Sequence, residues 1–152
     1  GIANAFGLIG YKANAIAPFK RPLSSMSPTI IIDSEGTPIL TIGAAGGSRI
    51  ITAVLQTIIS IVDHDLNIQE AIDTPRTHSQ WLPDNLRYEK NSLTKKTISE
   101  LEVLNHIFEH DGAVERGVYG IAQTHGVQLK NNKFITGFDK RGKYDENEGI
   151  TY

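Results

Sequence analysis

Cysteine is absent from the 152 residues. That excludes disulfides and thiolate chemistry within the chain. Neither sign of charge dominates: the formal net charge is −2, and Lys and Arg are scattered. Nothing here is built to track nucleic acid or an anionic membrane surface, so neither is expected as a partner. No apolar run approaches the roughly 20 residues of a membrane-spanning helix. The G-x-G-x-x-G, P-loop, H-E-x-x-H and G-x-S-x-G patterns are missing as well, which disfavours nucleotide binding, zinc-peptidase chemistry and a serine-hydrolase elbow. No cofactor or metal is expected.

What is present is ordinary for a globular chain: 39% apolar and 21% charged residues. The length suits a single domain over 1–152 that buries about 68–70% of its unfolded surface. The chain opens at "GIANAFGLIG" without an initiator methionine, and a processed piece of something longer is the expectation.

Gly1 to Pro22 has no sustained period and reads as irregular. Thr29 to Ile32 and Pro38 to Ile42 are strands around the turn signal "DSEGT", giving a hairpin over Thr29 to Gly43. Their near-continuous apolar character predicts burial on both faces. Ser48 to Val62 is a helix whose polar residues Arg49, Thr52, Gln56 and Ser60 form one narrow stripe, with Thr57 off it. Such a helix is covered on most sides. We expect it to lie on the sheet with another layer or subunit beyond it, and the chain alone to self-associate through exposed apolar surface. Asn67 with Glu70 starts a short helix ending near Asp73, before Pro75. A short strand follows near Leu86 to Glu89. The apolar spacing of Ile98, Leu101, Leu104, Ile107 and Phe108 predicts a helix over Thr94 to His110. Gly120 to Leu129 and Lys133 to Phe138 are strands joined by "KNNK". The polar end, 139–152, reads as a mobile tail. Strands, helices, then strands again predict an α/β sandwich with antiparallel pairing.

Four features carry chemistry candidates. Gly46 and Gly47 lie between a strand and a helix. They are either a tight turn or a place where backbone N–H groups hold an anion or oxyanion. Ser24 and Ser25 are a polar turn or a hydroxyl pair that donates to a carboxylate. Glu102, His106 and His110, four apart, have metal-compatible spacing on the expected helix, although a solvated face is the plainer account. Trp81 in "HSQWLPD" is expected to anchor a loop into the core, with substrate contact as the other reading.

Three stretches, "KRPLSSMSPTIII", "GGSRIITAVLQTI" and "NIQEAIDTPRTHSQWLPDNLRYEK", resemble the small subunit of γ-glutamyltranspeptidases (glutathione hydrolases). The match is collinear from about Asn4 to Glu89. Gln123 in "GIAQTHGV" is a weaker echo. The resemblance implies an N-terminal-nucleophile hydrolase αββα sandwich, incomplete in this chain, which would be the C-terminal portion of that subunit. It implies an N-terminal threonine that attacks a γ-glutamyl amide, a γ-glutamyl-threonyl ester, and transfer of the group to water, an amino acid or a peptide. Ser24 and Ser25 would contact the substrate's α-carboxylate. Gly46 and Gly47 would supply the oxyanion hole. Arg49 and Trp81 would have structural roles.

Several family features are not found. The nucleophile motif, a threonine run followed by His, is missing, and so is the "NDF" stretch. Ala44-Ala45 stands where Ser/Thr-Pro is common, Ser79 where a second His is common, and the Asp-Pro-Arg ending is lacking. The expected partners are therefore the large subunit, the N-terminal segment of the small subunit, and glutathione or another γ-glutamyl compound. The chain alone is expected to be inactive. A periplasmic or extracellular place follows from the resemblance only. The competing readings are a related amidase of the β-lactam acylase or poly-γ-glutamate hydrolase type, or a degenerate, non-catalytic homologue.

Overall fold

A computed structural model describes residues 12, 15, 17–21, 26–111 and 120–141. Ser24 and Ser25 and the end of the chain beyond 141 lie outside the described residues.

The fold is mixed α/β. Strands β1 (Thr29–Ile32) and β2 (Pro38–Ala45) form the expected hairpin. β2 then pairs with β6 (Gln123–Lys130), and β6 with β7 (Lys133–Phe138), all antiparallel, in a four-stranded sheet of order β1-β2-β6-β7. The β6–β7 link turns on Asn131 and Asn132 at φ 54° and 58°, the left-handed pair that a two-residue hairpin needs. Helices α1 (Ile50–Val62) and α2 (Ile68–Asp73) cover one face of this sheet. α2 starts at the predicted Asn67/Glu70 capping box.

A second sheet has β4 (Leu86–Tyr88) at its centre. It pairs antiparallel with β3 (Thr77–Ser79) and parallel with β5 (Phe108–His110). The parallel pair departs from the antiparallel expectation. It arises because the predicted helix over Thr94 to His110 stops early. α3 covers only Lys95–Val103. Asn105, at φ 66°, takes the left-handed conformation that ends helices, and the chain then extends to join β4.

The core lies between the first sheet and its helices. Leu40, Ile68 and Ile72 form one cluster, and Ile42, Ile50 and Val54 another, with Ile58 packing on both. Gly126 and Gly137 face each other in register. A Cβ on Gly126 would meet Ile68 Cδ1 at 2.8 Å, and one on Gly137 would meet Ile72 Cδ1 at 2.6 Å. Only bare backbone lets α2 sit this low on the strands. Gln128, buried between, accepts from the Ile68 N–H at the start of α2, at 3.1 Å.

The burial expectation for β1 is corrected, while α1 shows the exposed apolar surface expected of the chain alone. The outer face of β1 is open in this chain, with Ile30 66% and Ile32 58% exposed. On α1 the polar stripe turns inward. Gln56 accepts from the Thr77 N–H at 3.0 Å and donates to the Thr77 carbonyl at 2.7 Å, as a strand neighbour would. Ile51, Leu55, Ile59 and Val62 face outward instead.

Candidate active site

Gly46 and Gly47 occupy the turn from β2 into α1. Ladder pairing ends at Ala45, opposite Gln123, and a single 3₁₀ turn, Gly47–Arg49, leads into α1. Gly46 has φ 144° and Gly47 φ 63°, conformations that favour glycine. No side chain caps the start of the turn. The two glycines differ in surroundings. A Cβ on Gly46 would lie 2.7 Å from both Cα and Cβ of Ala122, whereas one on Gly47 would meet nothing within 4 Å. The backbone is thus backed on one side and, among the described residues, open on the other.

Segment 120–122 behind Gly46 is held almost entirely by side chains. Arg49 Nη1 donates to the Gly120 carbonyl at 3.0 Å. Glu89 Oε1 accepts from the Ile121 N–H at 3.1 Å. Arg76 Nη1 donates to the Ile121 and Ala122 carbonyls, both at 3.2 Å. Arg49 thus has the structural role expected of it, and it also lies 3.7 Å from the buried Asp111.

Arg76 belongs to a buried four-charge cluster that the sequence reading missed. Its guanidinium pairs with Asp139 at 2.9 Å, donates to Ile72 O at 3.0 Å and hydrogen-bonds Thr124 Oγ1. Arg141 grips Glu89 through Nε and Nη2, each at 2.9 Å, and reaches Asp139 at 3.2 Å. It also donates to the Ile72 and Thr74 carbonyls, which satisfies the end of α2. Two cations and two anions sum to zero charge. This is the condition under which buried ions are tolerated. Burial pushes the Arg76 pKa down against its ion pairs. Burial would raise that of Asp139, but Arg76, Arg141 and the N–H groups of Thr124 and Arg141 outweigh it and hold it below the usual carboxylate range. Burial likewise opposes the Arg141 charge, but Glu89 and Asp139 hold its pKa above the ordinary value.

The expected mobile tail is therefore corrected at 139–141, since Asp139 is fully buried and Arg141 nearly so. No Asp-Pro-Arg is present, and the buried Asp139 and Arg141 flank Lys140. Gln123 is buried, its side chain donating to the Asp139 carbonyl at 3.3 Å.

The remaining candidates separate. Glu102 lies on α3, His106 beyond its end and His110 on β5, where its ring packs 5.3 Å from Tyr88. The three share no helix face. Among the described residues, no group of three or more His, Asp or Glu could hold a metal. Trp81 is 86% exposed and anchors nothing in the core. It sits on the β3–β4 loop, with no described residue packed over it. His78, by contrast, is buried between Thr52 Oγ1 and Gln80 Oε1, each at 2.8 Å. Burial depresses its pKa.

A family model for gamma-glutamyltranspeptidase matches residues 1–148. The chain belongs to that family. The glutathione hydrolase proenzyme of Escherichia coli is 56% identical over 90 residues, which are 59% of this chain and 15% of that protein. The proenzyme of a Pseudomonas species is 40% identical over 147 residues, covering 93% of this chain and 25% of the relative. Among solved structures, a mutant gamma-glutamyltranspeptidase of Helicobacter pylori superposes with a TM-score of 0.77 at 39% identity, over 93% of this chain and 74% of that one. This gamma-glutamyltranspeptidase-family chain thus spans about 15% to 25% of the length of these two proenzymes. No helix among its described residues is long and apolar enough to cross a membrane.

Proposed function

We propose that the chain is the C-terminal part of a γ-glutamyltranspeptidase small subunit, one portion of an N-terminal-nucleophile αββα sandwich. The complete protein cleaves γ-glutamyl amides of the glutathione type through a γ-glutamyl-threonyl ester. It passes the acyl group to water, an amino acid or a peptide. A large subunit and a threonine-bearing segment complete the site. The outward apolar stripe of α1 is a surface that such a layer would cover. Ser24 and Ser25 take the substrate's α-carboxylate.

The observation that carries this reading is the Gly46–Gly47 turn, where ladder pairing has ended and, among the described residues, the Cβ side of Gly47 is open. In this role they stabilise the oxyanion formed when the nucleophile adds to the amide carbonyl. Losing one such donor costs about 2.7–4 kcal/mol of barrier. The test uses a chromogenic γ-glutamyl anilide. The complete protein is expected to turn it over and the isolated 152-residue chain to leave it intact. Turnover by the isolated chain, or none by the complete protein, refutes the proposal.

A further inference from the structure

Ala122 is the one alanine among the described residues at positive φ, 61°. Left-handed backbone is strained for a non-glycine residue. It persists only where surrounding contacts over-determine it. Here they do. The Ala122 N–H folds back on the Gly120 carbonyl at 2.9 Å. Arg49, Glu89 and Arg76, from three separate parts of the chain, hold the carbonyls of 120–122 and the Ile121 N–H. The methyl group carried by this strained residue lies where a Cβ of Gly46 would have to go.

We infer that Ala122 is a positioning residue: its Cβ is a fixed stop against Gly46 that sets where the Gly46 and Gly47 N–H groups point. The inference rests on the oxyanion-hole reading of those glycines. Strain, clamp and contact converge on one residue, whose Cα and Cβ both lie against the turn, with no need for Ala122 to touch substrate. A donor of this kind acts only when aimed at the place where charge develops, and small misplacements are costly.

The discriminating variant is Ala122→Gly in the complete protein. Glycine accepts φ 61° freely, so a purely structural role predicts unchanged rate and unchanged or higher thermal stability. Positioning predicts a different pattern on a γ-glutamyl anilide: kcat lower by roughly tenfold, KM within about twofold and melting temperature not lowered. An unchanged kcat overturns the inference, as does a kcat loss that comes with a lowered melting temperature. Gly46→Pro, which deletes the Gly46 N–H, separates the two levels of the argument. If this variant folds and keeps full kcat, the oxyanion-hole reading fails, and the positioning role with it. If it loses kcat while Ala122→Gly does not, only the positioning role fails.

Discussion

Replacing Asp139 by Ala is the most informative perturbation of the buried cluster. The carboxylate accepts from Arg76 at 2.9 Å, Arg141 at 3.2 Å, the Thr124 N–H at 2.9 Å and the Arg141 N–H at 3.0 Å. All of it is shielded from water. Without it, two guanidinium groups face one remaining carboxylate, and the cluster carries an uncompensated buried positive charge. Removing one partner of a buried pair costs about 3–5 kcal/mol, most of it from the charge left behind. That is a large share of the roughly 5–15 kcal/mol that holds a domain folded. Hydrogen exchange in the complete protein reads the effect locally. Amides of 120–126 and at the α2 C-terminus should exchange faster by two to three-and-a-half orders of magnitude, as the free-energy loss implies at about 1.4 kcal/mol per tenfold. The β1–β2 hairpin should change much less. Asp139→Leu combined with Arg76→Met removes both charges and should recover most of the protection. An acceleration below about fivefold in Asp139→Ala would refute the view that this charge organises the region. The acid limb gives an independent check. A carboxyl group held below its usual range contributes stability that is full above the unfolded pKa and is lost as pH falls through the folded value. The wild-type loss in that window should shrink in Asp139→Asn.

Two further outcomes are expected. His78 is held neutral by burial, so below its ordinary pKa of about 6.5 the unfolded chain takes up a proton that the folded one refuses. Stability should fall as pH drops from there towards the folded value, and His78→Gln should flatten that slope in urea titrations at stepped pH; an unaltered slope counts against it. Asn67→Ala removes a side chain that accepts from the Gln69 and Glu70 N–H groups at 3.0 Å each. It should cost about 1 kcal/mol, read as a lower urea midpoint with the denaturant slope unchanged.

Local signals carried the parts of the fold that were legible in advance. The β1–β2 hairpin, the α2 capping box, the Asn-Asn turn and the glycine turn into α1 are each specified within a few residues. What was not legible depends on partners distant in sequence. Glu89 lies 13 residues from Arg76 and 52 from Arg141, and no period or spacing joins them. The apolar pattern past Val103 continued to suggest a helix, because nothing local showed that β4 would recruit Phe108–His110 as a parallel strand. On α1 the polar stripe was visible, but its direction was not. Gln56 faces Thr77 because β3 lies there with an unpaired edge. Within the candidate site, the glycine turn was readable, whereas Ala122 and its clamps were not.

The facing glycines of the first sheet bear on all of this through distance. Between them, Gly126 and Gly137 leave no side chain under Ile68 and Ile72, so they set the thickness of the layer beneath α2. Arg76 and Arg141 reach back to the Ile72 carbonyl at the end of that helix, and Arg76 carries its position on to Ala122. A methyl group added at Gly137 would press on Ile72 and Ile68, and any shift of α2 would reach the segment behind the glycine turn through Arg76. The height of one short helix is therefore a dimension of the site, set by two residues that contribute no functional group.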